Sequence, residues 1–238
     1  MSLKEQKMYS VFYDSKYREN FESDYRNMEK DITSGKFNLS MEDYVRKYDN
    51  FLNQDLCKEL VEDIKKYPSV LEFDGHLSDL LRKGKFLNTF LSTNEFTVKI
   101  EKLIEESISK LVKKYTKDVR PLYYAYGDEF NHYTYHILKY NSDDYFKIHH
   151  DHYAETLNYS RLLTACIYLN EDYVGGELEF PSAGMNKEYT FKTGDAIIFP
   201  SHWMFYHGVK PITSGERYVI IMWIGLDLSH TENKYYFK

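Results

Sequence analysis

The sequence predicts an α+β protein in which amphipathic helices precede and pack on a β-rich second half that folds as a sandwich or barrel. Three observations predict it. Apolar residues recur at helical spacing as far as Tyr115. After Pro121, short segments rich in Tyr, Ile, Val, Thr and Phe alternate with polar or Gly-containing turns. No internal repeat or low-complexity linker divides the 238 residues, which suit one compact domain with an N-terminal extension.

Taken in order, Tyr17, Phe21, Tyr25, Met28 and Ile32 mark one face of a first helix, stopped near Ser34-Gly35. A short apolar element runs from Tyr44 to Phe51. Leu56, Cys57, Leu60, Val61 and Ile64 mark a second helix that must end before Pro68. Residues 72–92 give no clear period, because Gly75 and Gly84 interrupt it. Asn94 is a fitting N-cap for the clearest helix, whose face is Phe96, Ile100, Leu103, Ile104, Ile108, Leu111 and Tyr115. Strands are expected near 121–127, 132–140, 145–150, 162–170, 176–180, 188–192, 195–199, 205–210 and 217–226.

Charge and composition exclude several roles. The formal net charge is −6 and no long basic run offsets it, which argues against a nucleic-acid or acidic-membrane partner. The first residues hold no apolar signal core and no stretch is long enough to span a bilayer, so a cytoplasmic protein is expected. Cys57 and Cys166 lie far apart in apolar surroundings and read as buried, reduced thiols. The 24 tyrosines accompany many Lys and Asn residues, a bias that A/T-rich codons explain without a binding role.

Chemistry first shows in Tyr145-Phe-Lys-Ile-His149-His150-Asp151-His152. On a strand, residues i and i+2 share a face, so His149 and Asp151 project together while His150 and His152 project the other way. A histidine and a carboxylate joined by a distant histidine form the two-histidine, one-carboxylate facial set of non-haem iron(II) sites, which leaves coordination positions open. His202 and His207 are the two candidates for the distal ligand. Arg217 lies ten residues beyond His207, across Thr213-Ser214-Gly215. A hairpin there would set its guanidinium beside His207, where it could clamp a carboxylate through paired charge-assisted hydrogen bonds. That neighbour favours His207. His132, His136, His150, His152 and His202 are left to packing, supporting or surface roles.

The chain resembles the prolyl 4-hydroxylase branch of the Fe(II)/2-oxoglutarate dioxygenases over roughly residues 44–226. The resemblance rests on Ile137-Leu-Lys-Tyr140, His149-x-Asp151, Ala165-Cys-Ile-Tyr168-Leu-Asn170, Gly175-Gly-Glu-Leu-Glu-Phe180, Thr193-Gly-Asp-Ala-Ile-Ile-Phe199 and the stretch from His207 to Arg217, all in the family's order. It implies a double-stranded β-helix (jelly-roll) core, with an N-terminal helical extension over 1–43 and an oxygenase domain over 44–238 (helices 53–116, β-core 120–227). It assigns iron to His149, Asp151 and His207, and the 2-oxoglutarate carboxylate to Arg217, with Tyr140 and Tyr168 as hydroxyl partners. Arg217 stands where several collagen-type members carry lysine, a change of geometry more than of charge. The implied cofactors are Fe(II), 2-oxoglutarate and dioxygen, with ascorbate a candidate reductant.

The resemblance also implies a substrate: a prolyl residue in a proline-containing peptide or protein, walled by Phe146, Arg161 and Trp223. Phe146 departs from the tyrosine more usual there. Two other readings compete, namely a same-fold oxygenase acting on a free amino acid or other small molecule, and a non-catalytic jelly-roll binding module. The acidic net charge disfavours a nucleic-acid demethylase, and Asp151 occupies the position a halogenase would leave to halide.

Overall fold

The computed structural model of the chain describes residues 15–35, 39–66, 81–87, 95–122, 130, 132–152, 159–182 and 184–227. Among them no helix is long and apolar enough to cross a membrane. The first element among the described residues is helix α1 (Ser15–Thr33). Its end follows from Gly35, which at φ +78° takes the left-handed conformation that caps a helix without the strain a Cβ would add. A 3-10 turn, Met41–Tyr44, leads into strand β1 (Arg46–Tyr48). Helix α2 (Gln54–Lys66) begins where the Asn53 side chain accepts from the backbone N–H groups of Asp55 and Leu56, at 2.9 and 3.1 Å. Two short strands, β2 (Arg82–Lys83) and β3 (Lys85–Leu87), precede helix α3 (Glu95–Asp118). The N-cap expected at Asn94 lies outside the described residues.

Among the described residues ten strands follow: β4 (His132–Tyr140), β5 (Tyr145–His149), β6 (Tyr159–Tyr168), β7 (Tyr173–Gly175), β8 (Leu178–Phe180), β9 (Lys187–Tyr189), β10 (Ala196–Pro200), β11 (His207–Val209), β12 (Ile212–Gly215) and β13 (Arg217–Asp227). They form a six-stranded sheet ordered β1-β10-β6-β13-β4-β3, a five-stranded sheet ordered β2-β5-β11-β8-β9, and the pair β12-β7. Every described pairing is antiparallel. This is the jelly-roll arrangement the motifs imply.

Strand β13 shows why the large sheet sits where it does. Tyr218, Ile220, Met222 and Ile224 pack in one cluster with Cys57, Leu60 and Ile64 of α2 and Ile100, Ile104, Leu111 and Tyr115 of α3. Val219, Ile221 and Trp223 belong to a second cluster with Leu178, Phe180 and Val209 of the smaller sheet. Both faces are buried, so the strand reads as an unbroken apolar run, and its alternation decides which side chains meet helices and which line the interior. The two cysteines divide likewise, Cys57 in the helical cluster and Cys166 between the sheets, and both are free thiols.

Three sequence expectations change. The helical span 53–116 also carries β2 and β3, which fall inside the stretch 72–92 that shows no clear period and are too short for one to register. Of the strand expected at 121–127, Pro121 and Leu122 take helical conformation beyond α3, and residues 123–129 lie outside the described residues. Arg217 does not reach His207 by a hairpin: β11 lies in the five-stranded sheet and β13 in the six-stranded one, because β12 leaves to pair with β7.

One buried carboxylate ties the sheet to its edge. Asp195 accepts from the backbone N–H groups of Asn50 (3.1 Å) and Lys192 (2.9 Å), and Lys47 Nζ stands 2.9 Å away. Burial pushes its carboxyl up, but these donors outweigh burial and hold it below the ordinary aspartate value. A depressed folded pKa contributes stability that is present above the unfolded value and lost as pH falls through the folded one. Asp195→Asn is therefore expected to cost about 2 kcal/mol at neutral pH. For a chain of this size that lowers Tm by roughly 4–8 °C. The gap to the parent closes below about pH 4, as thermal melts across pH would record.

Candidate active site

The interior between the sheets gathers the metal-ligand types. His207 on β11 is the cross-strand partner of His149 on β5, which brings their rings to a centroid separation of 4.4 Å. Strand β5 ends at His149, so Asp151 lies just beyond it. Its backbone N–H donates to the Ser201 carbonyl at 3.1 Å, which keeps the residue aligned with the face that alternation assigns to it. Asp151 Oδ1 is 3.4 Å from His149 Nε2, and Oδ2 is 3.4 Å from His207 Nε2. One ligand atom from each of the three residues lies within 4.8 Å of the others.

The tautomers follow from the hydrogen bonds. His149 Nδ1 meets the Lys147 carbonyl at 2.8 Å and His207 Nδ1 meets the Phe205 carbonyl at 3.0 Å. A carbonyl only accepts, so each Nδ1 carries the proton and each Nε2 presents a lone pair toward Asp151. His149 Nε2 is buried and makes no hydrogen bond. Burial lowers the His149 pKa, keeping the ring neutral and able to ligate. Burial alone would raise the Asp151 carboxyl, but the His207 and His149 rings beside its two oxygens outweigh burial and hold it well below the carboxylate range. Two imidazole nitrogens and a carboxylate around one gap fit a divalent transition metal with positions left open.

Ring packing fixes the ligands in place. Phe146 stacks on His149 at 3.5 Å, and the Arg82 guanidinium lies 5.5 Å from the other partner in this stack, the Phe146 ring. Phe199 and Phe180 flank His207 at 4.8 and 5.7 Å. His202, the other distal candidate, is turned elsewhere: its Nδ1 accepts from the Met204 N–H and its ring packs on Phe205.

Arg217 is 1% exposed at the head of β13, opposite Tyr140 in register. Its guanidinium lies over the rings of Tyr140 (4.2 Å) and Tyr168 (5.8 Å), and Nη1 donates to the Gly176 carbonyl at 2.8 Å. Nε is buried without a partner, and among the described residues no carboxylate forms an ion pair with it. A buried guanidinium lacking a counter-ion is costly by several kcal/mol, roughly, and calls for an anionic ligand. Gly176 makes room for it. At φ +72°, a Cβ there would stand 2.3 Å from Ile212 Cδ1 and 3.3 Å from Arg217 Nη1. Burial raises both Tyr140 and Tyr168, so each hydroxyl keeps its proton and can donate to such an anion.

The three expected substrate residues fall on two walls. Arg161 of β6 lies over the Trp223 ring of β13 at 4.0 Å, and His136 meets the same ring edge-on at 5.4 Å. Phe146 stands on the facing sheet against His149. Trp223 Nε1 is buried with no hydrogen-bond partner. Sequence reasoning passed over Arg82, Thr164 and Ser201, while His136, left there to a packing or supporting role, packs on Trp223. The signal for Thr164 was a polar residue inside the apolar run Leu162-Leu163-Thr164-Ala165, on the face of Cys166 and Tyr168.

The family model of the 2OG-Fe(II) oxygenase superfamily matches residues 135–225. A protein of Acanthamoeba polyphaga mimivirus, whose name carries the words prolyl 4-hydroxylase, is 26% identical over 161 residues. That alignment takes in 58% of this chain and 66% of the relative, just under two thirds of its length. Two solved structures share the fold. The viral collagen prolyl hydroxylase of Paramecium Bursaria Chlorella virus-1, determined with 2OG, has a TM-score of 0.52 at 22% identity and covers 77% of this chain and 96% of its own. The Trichoplax adhaerens prolyl hydroxylase, in complex with a hypoxia inducible factor peptide fragment, has a TM-score of 0.57 at 16% identity and covers 86% and 91%. All the residues just described around the metal gap and the buried guanidinium, Arg82 apart, fall inside the matched segment, and it is through this segment that the chain is similar to the 2OG-Fe(II) oxygenase superfamily and to relatives named prolyl hydroxylases.

Proposed function

We propose that the chain hydroxylates prolyl residues in a peptide or protein substrate, converting 2-oxoglutarate to succinate and carbon dioxide as it does so. The observation that carries the reading is a His-Asp-His cluster at one sheet of a roll whose facing sheet holds a buried arginine that has no counter-ion among the described residues. Iron(II) with 2-oxoglutarate and dioxygen supplies the oxidising chemistry that replaces a C–H hydrogen by hydroxyl. His149, Asp151 and His207 hold the metal. Arg217 takes the far carboxylate of 2-oxoglutarate, and the Tyr140 and Tyr168 hydroxyls donate to it.

Phe146 and Trp223 offer apolar walls to a rigid pyrrolidine ring, and Arg161, over the Trp223 ring, is placed to hydrogen-bond a peptide carbonyl. Phe180, Phe199 and Ile221 keep bulk water from the reacting carbon.

The test is anaerobic loading of metal-free protein with Fe(II) and 2-oxoglutarate, followed by oxygen and a panel of proline-containing peptides. Succinate formed in step with a one-oxygen mass gain on a prolyl residue is the expected result. Turnover stimulated by free amino acids but not by peptides would replace the substrate class, and binding without turnover would leave a non-catalytic module.

A further inference from the structure

We propose that Thr164 and Ser201 are positioning residues that hold the Asp151 carboxylate in a one-oxygen mode toward the metal. The inference rests on the reading of Asp151 as a ligand. Thr164 Oγ1 donates to Asp151 Oδ2 at 2.8 Å, and Thr164 Oγ1 lies 2.8 Å from Ser201 Oγ. Thr164 and Ser201 are fully buried and Asp151 nearly so. Either hydroxyl could donate in an isolated pair, but the ionised carboxylate fixes the sense. Asp151 can only accept, so Thr164 spends its proton on Oδ2 and must accept from Ser201. The result is a directed chain, Ser201 O–H to Thr164 O–H to Oδ2, in which each bond polarises the next.

The fold ties this chain to the backbone at both ends. Thr164 pairs in register with Trp223 on β13 and with Phe199 on β10, the strand that ends one residue before Ser201. Ser201 donates its N–H to the Leu162 carbonyl at 2.9 Å and accepts the Asp151 N–H on its own carbonyl. Asp151 is thus held by its main chain through Ser201 and by its side chain through Thr164. With Oδ2 engaged, Oδ1 is the oxygen left for the ion. A freed carboxylate could rotate or bind through both oxygens, taking a coordination position the cosubstrates need.

The test is anaerobic Co(II) and Fe(II) binding to metal-free protein without 2-oxoglutarate, read by competition with a chelator and by the Co(II) visible spectrum. Thr164→Val keeps the shape and removes the donor, and it is expected to weaken metal binding by about 10–100-fold and alter the Co(II) spectrum. Thr164→Ser keeps the hydroxyl and should restore both. Ser201→Ala removes only the outer donor and should weaken binding by about two- to threefold. Parent-like affinity and spectrum in a folded Thr164→Val, or an equal loss in Thr164→Ser, would overturn the proposal. If Thr164→Val fails to fold, the decision passes to Ser201→Ala, where unchanged affinity and spectrum would overturn it. Asp151→Ala serves as the control: undiminished metal binding there would remove the ligand reading itself.

Discussion

Arg217→Met is expected to raise the 2-oxoglutarate concentration for half-saturation by roughly two to three orders of magnitude, since losing a desolvated charge pair costs about 3–4 kcal/mol. Metal affinity measured without 2-oxoglutarate should stay at the parent value, because Arg217 hydrogen-bonds Gly176 and lies over Tyr140 and Tyr168 rather than touching the histidines. A second readout separates this from a folding defect. Arg217 is buried without a counter-ion among the described residues, so an apolar side chain of similar length should leave the ligand-free Tm unchanged or raised. The gain in Tm on adding 2-oxoglutarate should vanish in the same variant. Unchanged cosubstrate affinity would mean that the anion binds elsewhere.

Asp151→Ala should abolish metal retention after anaerobic loading, a loss larger than the roughly 10–100-fold that removing an outer partner costs. Succinate formation should disappear with it. The carboxylate stands between two imidazoles whose Nε2 atoms are each 3.4 Å from it, so its removal takes away both a ligand and the only anion among the three clustered groups. In the parent, metal affinity should be flat through neutral pH and fall only in acid. Asp151 sits well below the carboxylate range and burial holds His149 below the usual histidine value near about 6.5, so protons begin to compete for His149 only below that pH. Metal content after dialysis at stepped pH records this.

Much of the site was legible because its chemistry is local. His149 and Asp151 lie two apart at a strand end, and alternation alone gives them one face. The placement of Arg217 was legible only as a position. Its route was misread because β12 is four residues long, carries no alternation, and pairs with β7 across a gap in sequence that no local pattern reports. The same limit hid β2 and β3, strands of two and three residues whose existence depends on partners in the sheets, and left the element around β1 without a type. Helices α2 and α3 were legible to within a few residues, since each buries a continuous stripe on one surface. Thr164 was invisible in its role, because a single hydroxyl in an apolar strand acquires meaning only from the carboxylate it meets across the fold.

The division of the two cysteines between the clusters gives the chain an internal gauge of its own loosening. Burial pushes the Cys57 thiol up to about 11, and burial together with the nearby Asp151 charge pushes Cys166 up to about 12. A thiol so far from ionisation is inert to alkylation and to oxidants released beside it. Each sulfur becomes reactive only when its own cluster parts, so labelling rates at the two positions would time separately the lifting of the helices and the opening of the space between the sheets.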